Sequence, residues 1–338
     1  MITNPTPQRA LRAHRPPRLS PRTAATAENL ARLAPRLTAR DRWLTRMLHE
    51  HKVLTSAQIA AMAWPSLRSA NARLRELFTW RVIDRFQPYA AIGTAPMHYV
   101  LDAAGAAILA HEDGLDPRDL GYRHERAIGI AHSLRLAHTV GTNEFFTTLI
   151  ADARRAGNRR LTTWWSEARC TRHFGDIVRP DAYARWREGS AGIEWFLEYD
   201  LATERPDRVA AKLPAYDKLA TTTGIITPVL IWLPTVRREA AVRRAVSATL
   251  AELDHPAQVP VATASADHLT VDDGLAGAHW LPLRTYGAAP GRVRLVQLPA
   301  AWPQIAPIDG TATAVEPDHG ELLPPPPMPP SASLRAGN

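Results

Sequence analysis

From residue 38 onward, apolar positions recur at helical spacing. Trp43, Leu44, Met47 and Leu48 fall on one side of a helix that Thr38 can cap and that runs to about His51. Thr55 caps a second, short helix, SAQIAAMAW, which Pro65 stops. Ser66 caps a third, LRSANARLRELFTW, with Leu67, Ala70, Leu74, Leu77 and Phe78 as its apolar stripe. VIDRFQPY and MHYVLD then read as strands joined by the Gly- and Pro-containing loop AAIGTAP, and AAGAAILAHE as a fourth helix. Helices followed by a two-stranded wing over residues 38–112 predict a winged helix-turn-helix.

After a basic connector near 113–125 the pattern changes. A long helix from about Ala127 to Ala156 carries Leu134, Leu136, His138, Asn143, Phe145 and Phe146. Strands are expected at 160–170, 177–186 and 193–201, then a helix bearing Lys212, then the buried strand ITPVLIWLP at 226–234. An Arg-rich helix, RREAAVRRAVSATLAEL, and a strand near 258–264 complete the series. The order αβββαβα predicts a mixed α/β core over residues 126–270 and an α/β (α+β) class for the chain.

The flanks differ in composition. Residues 1–40 hold eight Arg against the single acid Glu28, with several prolines, so 1–37 reads as a disordered basic arm. Residues 271–309 form a C-terminal extension. Residues 310–338, with LLPPPPMPP, read as a Pro-rich disordered tail.

The densest chemistry lies in IEWFLEYDLATERPDRVAAKLPAY, residues 193–216. As a strand it sets Ile193, Trp195, Leu197, Tyr199 and Leu201 on one face and Glu194, Phe196, Glu198 and Asp200 on the other. Carboxylates two residues apart on one face repel unless a cation stands between them. Downstream, Glu204, Arg208, Lys212 and Tyr216 recur every fourth residue and would line one side of a helix, with Thr203 as N-cap and Pro206 in its first turn. The bland alternative is a buried ionic network of Glu198 and Asp200 with Arg208 and Lys212.

Charge narrows the partner. The net charge is +8 and the pI about 10.1, which favours a polyanion such as duplex DNA. Only Lys52, Lys212 and Lys218 among the 41 basic residues are lysine. With abundant Ala and Pro, that skew also fits a GC-rich coding bias, so the pI alone overstates the case. On the third helix, Arg68, Ser69, Asn71 and Arg75 lie off the apolar stripe, and they are the residue types that read base edges and phosphates. Arg81 and Arg85 flank the wing.

A lone Cys170 excludes an intrachain disulfide and a cysteine zinc cluster. No run of 18 apolar residues and no apolar N-terminal leader is present, so a cytoplasmic protein without a membrane partner is expected. His49-Glu50-His51 ends a helix and lacks the apolar centre of a nickase histidine pair. Trp164 and Trp165 read as core. No P-loop or Rossmann fingerprint occurs.

Arg179-Pro180-Asp181 on the second expected strand and Glu198 on the third resemble the PD-(D/E)xK phosphodiesterase core. That resemblance implies Asp181 and Glu198 as ligands of Mg²⁺, Glu144 or Glu167 as outer carboxylates, and a lysine stabilising transition-state charge. The pattern calls for Lys two residues after Glu198, where this chain has Asp200, so Lys212 would supply the ammonium and Asp200 would assist. His138, Asn143, Glu167, Glu204 and Tyr216 would support the site.

Over about 38–250 the chain also resembles the replication-relaxation family of actinobacterial mobile elements. The blocks are LTARDRWLTRMLHEHKVLTSAQIAAMAW, RLRELFTWRVIDRF, HYVLDAAGAAIL, LAHTVGTNEFF, RPDAYA, FLEYDLATE and KLPAYDKL. Trp80-Arg81 stands where a Gly turn is usual before the wing. The resemblance implies a DNA-associated protein serving replication and DNA relaxation of a plasmid or integrative element in conjugation. Double-stranded DNA, a relaxase or replication initiator, and a second copy of the chain are the partners it points to. Three functions stay open at this point: an accessory DNA binder, an Mg²⁺-dependent endonuclease or nickase, and a winged-helix transcriptional regulator.

Overall fold

The computed structural model describes residues 18–90, 93–270, 274–283, 291–305 and 322–330. They fall into two compact units, one within residues 1–133 and the other within 134–331, with the helix end Ala61–Ala63 grouped with the second.

The first unit is built on capped helices. Two short ones, α1 (Pro21–Ala24) and α2 (Ala27–Leu33), precede α3 (Ala39–His51), α4 (Ser56–Ala63) and α5 (Leu67–Thr79). Thr38 and Asp41 close a capping box at the start of α3, and Thr55 and Gln58 close another at α4. Ser66 accepts from the backbone N–H of Ser69 at the start of α5. Then come β2 (Ile83–Phe86), β3 (His98–Leu101), α6 (Ala103–Glu112) and α7 (His124–Gly129). Leu44, Met47, Leu48, Ile59, Leu74, Leu77, Phe78 and Val82 are buried together at the heart of the helices.

Three sequence expectations change here. The strand pair gains a partner, because β1 (Leu54–Thr55) pairs antiparallel with β3 and makes a three-stranded sheet of order β1-β3-β2. The basic arm is in part structured: Leu30 and Leu33 of α2 are buried, and an apolar pair less than one helical turn apart was too short a signal to register as periodicity. Leu67, placed in the apolar stripe of α5, is about half exposed, as befits the first residue of the helix.

The second unit is one sheet with helices on both faces. In chain order it contains α8 (Leu136–Ala156), β4 (Arg159–Ser166), α9 (Glu167–Phe174), β5 (Ala182–Glu188), β6 (Ala191–Tyr199), α10 (Pro206–Ala210), α11 (Leu213–Thr223), β7 (Val229–Leu233), α12 (Val236–Glu252), β8 (Val261–Ser265) and β9 (Leu281–Pro282). Strand order follows the chain, β4-β5-β6-β7-β8-β9. Strands β4, β5 and β6 pair antiparallel, β7 and β8 add in parallel, and β9 closes the edge antiparallel. Strand β6 is central and buried on both faces: Trp195 meets Phe146 of α8, while Phe196 meets Tyr216 of α11.

Boundaries moved where local signals overruled periodicity. The helix expected from Ala127 is interrupted, since α7 stops at Gly129 and α8 starts at Leu136. Residues 127–135 bury no apolar face (Leu134 is fully exposed), so nothing rewards a continuous helix there. The expected strand 160–170 ends at Ser166, which caps α9. The expected helix of Glu204, Arg208, Lys212 and Tyr216 is two helices broken at Lys212, because Pro214 starts a new one. Arg205 rather than Thr203 holds the N-cap position of α10.

The extension belongs to this unit. Glu239 of α12 binds Arg292 at 2.6 Å, and Arg243 donates to the Leu281 carbonyl at 2.6 Å. Trp280 and Trp302 are buried. Part of the Pro-rich tail also packs: Arg169, buried on α9, donates to the Leu322 carbonyl at 2.9 Å, and Pro325 and Pro327 are buried.

Candidate functional site

At one end of the β5–β6 pair the register sets Ala182 against Leu197, and the Asp181 N–H donates to the Leu197 carbonyl at 3.1 Å. Asp181, the residue just before β5, thus lies beside the end of β6, where its charge reaches Glu198; both carboxylates are buried. Their partners come from different elements. Asp181 Oδ2 accepts from the Tyr199 N–H at 2.8 Å and from His138 Nε2 of α8 at 3.2 Å. His138 Nε2 also faces the Tyr199 carbonyl at 3.0 Å; with acceptors on both sides, that nitrogen must carry the proton. Glu198 Oε1 accepts from the Tyr216 hydroxyl at 2.6 Å, and Oε2 accepts from the Lys212 ammonium in a very short contact.

The electrostatics follow from burial and this pairing. Burial, and then the Asp181 charge, push the Glu198 carboxyl up to about 7 against the pull of Lys212 and Tyr216. Burial would also raise Asp181, but the His138 hydrogen bond, the Lys212 charge and the Tyr199 N–H hold it below its ordinary value. Burial disfavours the Lys212 ammonium, and the Glu198 and Asp181 charges more than offset that, so its affinity for the proton rises. His138 is likewise raised, its burial outweighed by Asp181.

Close packing fixes the wall of this cluster. A side chain at Gly141 of α8 would place its Cβ 2.6–2.7 Å from the Tyr199 ring, so only glycine lets the ring lie against the helix.

The remaining expected site residues separate. Asp200 is not in the cluster; it pairs with Arg238 at 2.5 Å, and Arg238 also donates to the Glu204 carbonyl at 2.7 Å. Glu204 thus contributes backbone, and Arg208 is exposed. Glu167 at the start of α9 pairs with Arg135 at 2.8 Å. Asn143 is buried in α8, and Glu144 is exposed on the same helix. Arg238 was missed in the sequence. It is legible only once β7 is known to lie parallel to β6, which brings the start of α12 beside the end of β6.

This donor set does not fit a resident Mg²⁺. Mg²⁺ demands near-octahedral oxygen ligands. Both Glu198 oxygens are already engaged by donors of the chain, one of them a full positive charge, and Asp181 spends one oxygen on two donors.

In the first unit, Arg68, Asn71 and Arg75 are exposed on α5 at i, i+3 and i+7, opposite the buried Ala70, Leu74, Leu77 and Phe78. Ser69 is spent locally: its hydroxyl donates to the Ser66 carbonyl at 2.8 Å and accepts from the Ser66 hydroxyl at 3.1 Å. Arg85 is half-buried, with its guanidinium 4.3 Å from the centre of the Phe78 ring. Arg81 turns inward. It adopts φ 59°, the left-handed position that a glycine usually takes after a helix, and its guanidinium binds buried Asp102 at 2.8 and 3.0 Å. Asp102 also binds Arg18 at 2.6 Å and His124 at 3.2 Å, and Arg18 reaches Asp84 at 2.9 Å. Among the described residues Asp84, Asp102 and His124 lie close enough to share an ion, but Arg18 and Arg81 already supply the positive charge.

These features define a two-unit α/β protein: a helical unit with a small sheet, then a mixed-sheet unit holding a buried carboxylate–lysine cluster. The sequence profile of the replication-relaxation family matches residues 45–230, more than half of the chain, and the chain belongs to that family. The match ends at β7, so α12, β8 and β9 lie beyond it. No curated protein and no solved structure matches the chain. No helix among the described residues is long and apolar enough to cross a membrane.

Proposed function

We propose that the chain is a duplex-DNA-binding protein that assists replication and DNA relaxation of a plasmid or mobile element without cutting DNA itself. The observation that carries this reading is the face of α5, where Arg68, Asn71 and Arg75 project from a helix whose other side is buried. The arrangement of α3, α4 and α5 before the β2–β3 hairpin is similar to a winged helix-turn-helix, in which such a helix enters the major groove. Arg offers bidentate donors to guanine or phosphate, and Asn matches the adenine edge. Family membership supplies the replication and relaxation setting. A relaxase or replication initiator acting on the same DNA fits as the protein partner.

With the short α9 and α10 set aside, the second unit's order α8-β4-β5-β6-α11-β7 is similar to a PD-(D/E)xK core, and that likeness would make Asp181 and Glu198 its metal ligands. The Lys212 ammonium on Glu198 favours a core kept for its shape over a cutting one. The test is supercoiled plasmid carrying the element's origin region, incubated with the protein in Mg²⁺, Mn²⁺ or EDTA, with Asp181→Ala and Lys212→Ala alongside. The reading predicts salt-sensitive binding and no nicking in any arm. Metal-dependent nicking lost in both variants would make the protein an endonuclease, and binding that is flat with salt would remove the DNA reading.

A further inference from the structure

We infer that the second unit carries a built-in cation in place of a divalent metal: the Lys212 ammonium occupies the ligand side of Glu198, and the Asp181–Glu198 pair binds no Mg²⁺ or Mn²⁺ while Lys212 is present. The inference concerns the second unit alone and does not depend on DNA binding by the first.

Two carboxylates brought close at the end of one strand pair need positive charge between or beside them. The chain provides it through the Lys212 ammonium on Glu198, while His138 gives Asp181 a hydrogen-bond donor. Lys212 is not carried on the face of a long helix that could slide or fray. It sits at the N-cap position of α11, in the break between α10 and α11 that Pro214 enforces, and so its backbone is set by both helices. The head of the side chain then meets a carboxylate whose other oxygen is held by buried Tyr216.

A metal entering this place would have to displace the ammonium and take up positions at about 2.0–2.1 Å from oxygens that already serve as acceptors. With the Lys212 ammonium on Glu198, the negative charge left at the pair to attract a divalent ion is reduced. Asp200 does not restore it, because Arg238 neutralises Asp200. In a chain with three lysines among 41 basic residues, one of the three fills this position.

The experiment is a Mn²⁺ titration of the full chain, read by calorimetry and by the loss of the free-ion electron paramagnetic resonance signal. It compares wild type, Asp181→Asn, Lys212→Met, and Lys212→Met combined with Asp181→Asn. Wild type is expected to show no saturable uptake at millimolar Mn²⁺ that depends on Asp181. Lys212→Met is expected to gain one site at least about tenfold tighter than any uptake by wild type, and the added Asp181→Asn is expected to abolish it. Circular dichroism and thermal melts check folding, and Lys212→Gln, which keeps a polar head, replaces Lys212→Met if that variant fails to fold. Saturable Mn²⁺ binding by wild type that Asp181→Asn removes would overturn the inference. So would a folded Lys212 variant that gains no site, since something other than the ammonium would then be closing it.

Discussion

At the scale of single residues, the cluster depends on positions with no tolerance for a neighbour. Gly141→Ala would drive a methyl group into the Tyr199 ring, whose backbone carbonyl and N–H orient His138 and Asp181. It is expected to destabilise the protein by about 1–3 kcal/mol, the usual cost of overpacking, as a drop in chemical-denaturation midpoint. An unchanged midpoint would mean that the helix shifts freely there. Glu198 and Lys212 could be singled out in the sequence because a carboxylate in an apolar strand and a rare lysine are each conspicuous. Their pairing was legible; the destination of Asp200 was not, because Arg238 lies 38 residues downstream and is brought in only by the parallel β6–β7 crossover. The pairing of Arg81 was not legible for a related reason. A sequence shows an arginine beside a hairpin, but not that it turns through φ 59° onto a buried aspartate.

Among elements, helix starts were the most legible feature, since capping chemistry is written in three or four consecutive residues. Thr38, Thr55 and Ser66 all cap the helices that their sequence context announced. Replacing Thr38 or Thr55 by Ala should each cost about 1 kcal/mol in thermal or denaturant unfolding. A loss of a few tenths or less would mean that water substitutes for the cap. Helix continuity was less legible, because it depends on which face finds something to bury, as the gap between α7 and α8 illustrates. Elements of the first unit are also tied by the ionic cluster of Arg18, Asp84, Asp102 and His124, with Arg81 and the Tyr122 hydroxyl beside it. Burial works against the Asp102 charge, but His124, the Ala103 N–H, Arg18 and Arg81 hold it below its ordinary value; the Asp102 hydrogen bond raises His124. The signs give a window. Asp102 adds stability above the ordinary carboxylate value, about 3.9, and that contribution fades as pH falls through its depressed folded value. His124 adds stability that is complete below about 6.5 and fades as pH rises through its raised folded value. His124→Ala should therefore flatten the fall in stability as pH rises above about 6.5, measured as melting temperature against pH. An identical slope in the variant would show that His124 is not the group titrating.

For the molecule as a whole, the second unit extends past the family match, and the Glu239–Arg292 pair ties α12 to the extension beside the Arg243 bonds to the Leu281 and Pro282 carbonyls. Arg292→Ala leaves Glu239 buried with Thr263 as its remaining close donor, and should cost on the order of 3 kcal/mol. Limited proteolysis is expected to release the extension first in that variant; unchanged cleavage would show that Trp280 and Trp302 hold it without the ion pair. DNA binding by the first unit is the property on which the proposed function rests. It is tested most directly by fluorescence anisotropy of a labelled duplex from the element's origin region, in EDTA and at fixed salt, with wild type and the Arg68→Ala/Arg75→Ala double variant. Tight binding without metal is expected, with a rise in Kd of at least about tenfold in the variant and an unchanged melting temperature, since each lost Arg contact is worth about 1–3 kcal/mol. Equal affinity in a folded double variant would contradict it and move the DNA-binding surface off α5.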